Sequence, residues 1–531
     1  MKKIINIFIL LLASSLTVSA QQPNWKESVY MHVSKSIAST GEPVWLAIDV
    51  RTTSSDFSPS MAYVELINRN GQSVYQLLVP LEEGKGSAIL KAPHTLISDH
   101  YLIRSYTRSS PFTGDEGLYN QLITIINPEK PAPAVSGDVN FEKFIKDSDL
   151  KAGFTRQKSV SKSEVVALKL PEEGILSVSL KNPFLEEKYQ GRLNNRIYKS
   201  TWEPKNIIPE PYGHIIHAKI RNENTKQAYY LSAHGRQNYF NIAESNAQGE
   251  LFFELAAFRD LNFLLVQKED ESSAMDFELI SPFISLDLSE DFQIPALKLL
   301  RDDEAFLNDL ILAGQVEDYY FRPDIQGNRF INTALKADKT YFLDDYNRFE
   351  SMEVTLKEYV SEVYVRKSNR QVLFKVMNSP TGLVFQENPL LLIDNMPVVN
   401  ANAFAAFDPK EIASIDLITR TFYFNDQVYA GVISLTSKQG DFGGFELPSE
   451  ALYLDYYKFA PRFLPFQNEV ILEKQQANFP DFRNQLYWNP KNNQGNTSVY
   501  SSKLTGQYEV KQSHFDGKVW RVLTDVFEVL D

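Results

Sequence analysis

None of the 531 residues is cysteine. Disulfides, thiolate metal sites and a cysteine nucleophile are therefore all unavailable, and each folded unit must hold together by burying apolar surface of its own. The sequence supplies that surface: 43% of residues are hydrophobic and 12% aromatic, with 35 Phe and 26 Tyr, a composition that favours β-structure. A chain of this length is expected to divide into three to five such units. The first is legible residue by residue. Val44, Leu46, Ile48 and Val50 alternate with Trp45, Ala47, Asp49 and Arg51, the period-two pattern of a strand with one buried face. Residues 62–68 and 73–79 flank Asn70-Gly71, a pair that accepts the positive φ of a type I′ hairpin turn. With further strands at 101–107 and 118–127, about seven strands in some 100 residues predict an immunoglobulin-like sandwich.

The amino terminus sets an expected compartment. Lys2 and Lys3 precede the apolar run Ile4–Leu12, and Val18-Ser19-Ala20 stands before Gln21. A basic start, an apolar stretch and a small-residue cleavage site read as a secretory signal peptide over 1–20; the run is shorter than the roughly 20 residues of a membrane span. Export is thus expected, to the periplasm, the outer membrane or the cell surface, with at most peripheral contact with lipid. The net charge is −13, and loss of Lys2 and Lys3 with the signal takes it to −15. So acidic a chain lacks the basic footprint that nucleic acid or an anionic membrane surface requires.

The fold class expected is mainly β: tandem immunoglobulin-like, macroglobulin-type sandwiches, then a small α+β unit and a terminal β unit. The boundaries follow composition. After the signal, the first sandwich occupies 21–128, and the Pro-rich stretch NPEKPAPAVSG opens a linker over 129–160. One or two further sandwich modules fill 161–290. A helical connector follows over 291–344, where Leu297, Leu300, Phe306, Leu307, Leu310 and Ile311 recur near helical spacing between Pro295 and Asp318. An α+β unit then spans 345–445, in which Asp408-Pro409-Lys410-Glu411 carries the N-cap, N1 and N3 signals of a short helical turn before a strand at 414–418. A terminal β unit covers 446–531.

Two stretches carry a family likeness. VYMHVSKSIASTGEPVWLAIDV, AYVELINRNGQSVYQ and HYLIRSYTR resemble the second macroglobulin domain of α2-macroglobulin-like proteins. Residues 388–440, with LLLIDN, DPKEIASIDLI and GVISLTSKQG, look like the plug domain of a TonB-dependent outer-membrane receptor. Such a plug sits in a barrel of about 22 strands, and the 91 residues after Gly440 are too few for one at about 10 residues per strand. The resemblance therefore implies a plug without its barrel. Family members place Gly after the first-strand Ile-Asp where this chain has Asn395, a residue that tolerates left-handed backbone. The order macroglobulin-like domain, plug-like unit and PDFRNQLYWNP is similar to that of a group of secreted envelope proteins of the Bacteroidota. The macroglobulin thioester needs a Cys-Gly-Glu-Gln setting, which a cysteine-free chain does not have.

Motifs for chemistry are scarce. His214 and His217 in HIIH are an odd offset apart, so on a strand they face opposite ways, against a shared metal. The other histidines are His32, His94, His100, His234 and His514, and Asp302-Asp303-Glu304 reads as solvated charge. No nucleophile elbow, zinc-protease, P-loop or dinucleotide fingerprint occurs in the sequence. The expectation is a non-catalytic envelope protein with no cofactor and no metal. Its partner is another protein, an outer-membrane β-barrel or its complex, and the expected contact residues are Phe422, Tyr423 and Phe424, in a span also holding Phe404, Phe407 and Tyr429. Two alternatives stand beside it. One is a thioester-less, macroglobulin-type protease-binding or host-interaction protein; the other is an accessory subunit of glycan or nutrient uptake, with Tyr453, Tyr456 and Tyr457 as sugar-stacking rings.

Overall fold

The computed structural model describes residues 25–54, 58–112, 115–134, 141–147, 149–199, 208–221, 227–255, 261–268, 275–320, 335–425, 427–460 and 481–531. The expected signal peptide lies outside them. The described residues are mainly β, as the aromatic and alternating composition predicts.

The first sandwich holds β1 (Glu27–Val33), β2 (Ile37–Ser39), β3 (Pro43–Thr52), β4 (Met61–Ile67), β5 (Ser73–Pro80), β6 (Lys85–Lys91), β7 (Asp99–Tyr106) and β8 (Leu118–Ile126). A sheet ordered β1-β3-β6 packs on one ordered β2-β8-β7-β4-β5. Val44, Leu46, Ile48 and Val50 enter the core between them. The alternate residues Trp45 and Ala47 are buried too, against Ile175 and Trp488 of the next unit, so β3 is covered on both faces rather than one. The hairpin β4–β5 forms with a different turn from the one Asn70-Gly71 predicts. The amide of Gly71 donates to the carbonyl of Asn68 at 2.9 Å, and of the two residues only Gly71 has positive φ, at 78°. That is a three-residue loop, a type I turn closed by a left-handed glycine.

The second sandwich is built from both ends of the remaining chain. Along the sequence come β9 (Ile145–Asp147), which pairs with β14 (Arg192–Leu193) and packs on Leu102, Leu118 and Leu122 of the first sandwich, and, for the second sandwich itself, β10 (Leu150–Lys151), β11 (Ser159–Ser161), β12 (Val165–Leu170) and β13 (Gly174–Leu180). The third sandwich follows with β15 (His214–Ile220), β16 (Ala228–Gly235), β17 (Tyr239–Glu244), β18 (Glu250–Leu255), β19 (Leu261–Lys268) and β20 (Phe277–Leu279). Next is the α+β unit, β21 (Lys339–Phe342), β22 (Val363–Ser368), β23 (Gln371–Asn378), β24 (Leu383–Val384), β25 (Leu390–Ile393), β26 (Met396–Pro397), β27 (Ile412–Ile418), β28 (Phe422–Phe424), β29 (Gln427–Tyr429) and β30 (Val432–Ser437). After β31 (Leu452–Leu454) the chain ends in β32 (Gln485–Asn492), β33 (Gly495–Tyr500), β34 (Gly506–Phe515) and β35 (Trp520–Leu530). These last four strands do not stand as a separate terminal unit. They pair with β10–β13 in a sheet ordered β10-β35-β34-β13-β32, with β11 on β35 and β12 on β33. Leu176, Val178 and Leu180 need apolar cover on β13, and Tyr508 and Val510 of β34 share their core. The third sandwich likewise borrows β31, which pairs with β19. Both joins cut across the boundaries drawn at 290 and 446.

The helix is shorter than its apolar spacing implies: residues 295–300 are irregular, Arg301–Asp303 forms a 3₁₀ turn, and α1 runs Glu304–Tyr320. Asp303 accepts from the amide of Leu300 at 2.7 Å, a cap that fixes the helix start below Pro295. Leu310 and Ala313 seat α1 on the second sandwich.

In the α+β unit a sheet ordered β21-β27-β30-β25-β26, with β25 parallel to β30, lies beside β22-β23-β24, α2 (Met352–Tyr359) and α3 (Ala401–Ala406). Asp408 caps a 3₁₀ turn at Pro409–Glu411 and β27 follows directly. Asp394 and Asn395 both have positive φ, 48° and 65°, between the paired residues Ile393 and Met396. Here the two-residue, left-handed turn is the one expected at Asn395.

Candidate partner-binding surface

The hairpin β28–β29 leaves the α+β unit and lies on the third sandwich. Alternation along so short a ribbon gives it two distinct faces. Phe422, Phe424 and Tyr429 turn inward, half-buried against a cluster that includes Tyr230, Phe240, Ile242 and Leu390. Near the tip, Asn425, at φ 51°, donates its amide to the carbonyl of Ile242 at 2.7 Å, and Gln427 donates to Glu244 at 2.8 Å. The outward face carries Tyr423 and Val428, direct cross-strand partners, 71% and 61% exposed. Beside them lies a cleft of about 640 Å³ lined by Val428, Tyr429, Leu373, Val399 and Asn400.

The structure therefore separates the three residues singled out from sequence. Phe422 and Phe424 are attachment rings and Tyr423 alone faces solvent. The other aromatics of that span are internal: Phe404 is buried in the core of its unit and Phe407 packs edge-on to Phe445. Sequence reasoning missed Val428, whose signal was available as the residue opposite Tyr423 in a short hairpin.

The remaining candidates fall into structural roles. Tyr453 is exposed with one face stacked on Phe263, whereas Tyr456 is half-buried and its hydroxyl lies 2.7 Å from Nε2 of His214. Tyr453, Tyr456 and Tyr457 do not form a single sugar platform. His214 sits in a buried node where Glu210 meets its Nδ1 at 2.9 Å and accepts from the hydroxyl of Tyr63 at 2.7 Å, with Arg108 alongside. Burial pushes the Glu210 carboxyl up, and His214, Arg108 and the Ile215 amide outweigh it, holding the group below the usual carboxylate range. His217 stacks on Phe252 and does not face His214.

His32 bridges two serines, Ser513 Oγ at 2.6 Å and Ser177 Oγ at 2.9 Å, the contact of a base with a nucleophile. All three side chains are buried between the first two sandwiches and burial depresses the histidine strongly, so the trio holds two sheets together. Among the described residues no group of three His, Cys, Asp or Glu is placed to hold a metal ion, and no helix is long and apolar enough to cross a membrane.

No family model and no curated protein matches this sequence. Solved structures that match include an alpha-2-macroglobulin of Salmonella reacted with methylamine, at 10% identity and a TM-score of 0.22, covering 96% of this chain and 40% of that one. An alpha-2-macroglobulin of Escherichia coli activated by porcine elastase matches at 9% identity and a TM-score of 0.21, over 95% of this chain and 44% of that one. The CARDB domain of a Pyrococcus furiosus protein matches at 9% identity and a TM-score of 0.15, over 19% of this chain and 94% of that domain. The chain thus spans about two-fifths of the macroglobulins it matches. At these scores the likenesses carry no residue correspondence. The β-sandwich architecture rests on the strand pairing itself.

Proposed function

We propose that this chain is a non-catalytic, exported binding protein that docks a protein partner at the outer membrane through the outward face of hairpin β28–β29. One observation carries the reading: Tyr423 and Val428 form an exposed apolar pair on a ribbon whose other face is fixed to a sandwich by Phe422, Phe424, Asn425 and Gln427. Exposed apolar side chains on a rigid support lose little conformational freedom on association, and Tyr is among the residues enriched at the centres of interfaces. Export and the outer membrane enter from the basic-apolar-small pattern of residues 1–20 and from the plug-like resemblance of 388–440. The macroglobulin-like resemblance of the first sandwich is consistent with a module that binds protein. Affinity capture from native envelopes with the intact chain and with a Tyr423→Ser, Val428→Ser variant tests it. A partner recovered by the first and lost by a normally folded second is expected; equal recovery would overturn the assignment.

A further inference from the structure

A cleft of about 1310 Å³ lies between the first two sandwiches, remote in sequence from the hairpin surface. Its charge opposes that of the molecule. The whole chain carries 54 Lys and Arg against 67 Asp and Glu, yet the cleft wall carries seven against four. Four of the seven cations are paired within the protein, Lys146 and Arg192 with Glu116, Arg51 with Asp49 and Arg521 with Asp516, and two of the four acids are likewise committed. Glu116 is paired with Lys146 and Arg192, and Glu27 is buried, pushed up to about 7 by that burial against the hydroxyls of Thr107 and Ser110. The ammonium of Lys511, half-buried on the wall, forms no hydrogen bond or close ion pair among the described residues. Burial works against its charge, but Asp149, Tyr30 and Glu509 outweigh it and keep the ammonium protonated.

The second observation is an open strand edge. β34 pairs along its whole length with β35, from Trp520 to Val529. The other edge of β35 takes β10 at Leu523–Thr524 and β11 at Glu528–Leu530. Trp520, Arg521 and Val522 have no strand there among the described residues, and all three line the cleft. Beside them stand Ser28 and Tyr30 of β1, itself the outer strand of its sheet, with the Tyr30 ring stacked on that of Trp520 at 4.2 Å. At about 3.3 Å per residue the open edge is about 10 Å long, enough for three extended residues. Added strands gain affinity from main-chain hydrogen bonds and specificity from side-chain pockets.

We propose that this cleft binds an extended acidic peptide segment, which adds to the open edge at Trp520–Val522 and places a carboxylate on Lys511. The inference does not rest on the hairpin surface and survives its failure. The probe is a fluorescein-labelled, end-blocked peptide, Asp-Val-Glu-Val-Asp, titrated with full-length protein by fluorescence anisotropy. The expected results are saturable binding, a loss of about tenfold or more for the Asn-Val-Gln-Val-Asn counterpart, and a similar loss when alternate amides are N-methylated. Lys511→Met should weaken binding about tenfold with an unchanged circular dichroism spectrum; should that variant not fold, Arg521→Glu on the exposed side of the wall gives the same comparison. Unchanged affinity in the folded variant, or no binding by the wild type, would overturn the proposal. Equal binding of the N-methylated peptide, or competition by glutarate as effective as by the peptide itself, would also overturn it in favour of a simple anion site.

Discussion

The ring of Phe424 stacks on that of Phe240, with centroids 4.6 Å apart and planes 14° from parallel. This contact fastens the hairpin of the α+β unit to the edge strand β17 of the third sandwich. Stacked aromatic pairs contribute about 1 kcal/mol beyond their area, and half-burial of the ring adds a similar amount. Phe424→Ala should therefore lower stability by about 2 kcal/mol and make the segment 420–430 the first site of limited proteolysis. Unfolding in urea and mass mapping of the first cleavage measure both effects.

Much of the fold was legible because local pattern and burial agree within it. Val44 to Val50, Asp408-Pro409 and the turn at Asn395 all follow from short-range chemistry. What stayed hidden depends on pairing between distant segments. Nothing local to Val178 says that Val510 and Tyr487 will lie on either side of it. The same holds for Trp45, whose outward-seeming face is covered by Trp488. For the candidate surface, aromatic density pointed to hairpin β28–β29, but only the register divides Tyr423 from Phe422 and Phe424.

That long-range pairing has a direct consequence. Deleting residues 481–531 removes β32–β35 and leaves β13 with both edges open and Leu176, Val178 and Leu180 uncovered. The truncated chain should lose protease protection across 145–199 while 339–445 keeps its own core. Hydrogen exchange of both segments distinguishes this from a terminal unit that detaches harmlessly.

Lys35 and Glu42 form an ion pair with almost no solvent exposure, and Asn484 of the second sandwich bonds to both. Removing one member of such a pair leaves an uncompensated buried charge. Glu42→Ala should destabilise by about 3–5 kcal/mol, whereas Lys35→Met with Glu42→Leu should recover most of the loss. Chemical denaturation of the single and double variants gives the comparison.

Glu27 makes the stability depend on pH in a predictable direction. Its carboxyl is raised from 4.5 to about 7 by burial, in spite of the Thr107 and Ser110 hydroxyls. The folded state therefore binds the proton more tightly than the unfolded one. Its contribution is fully present below about pH 4.5 and declines as pH rises towards 7, by about 3 kcal/mol in all. Glu27→Gln, which keeps the neutral shape, should flatten that slope and raise the melting temperature at pH 8. An unaltered pH profile in the variant would mean that Glu27 titrates normally.

The docking role of the hairpin is tested most directly by site-specific photocrosslinking in native envelopes. A photoreactive residue is placed in turn at Tyr423, at Val428 and at Tyr212, which is 79% exposed on another unit. The account predicts one discrete crosslinked species from Tyr423 and the same species from Val428, with none from Tyr212. No adduct at Tyr423 and Val428, or equal adducts at all three positions, would contradict it.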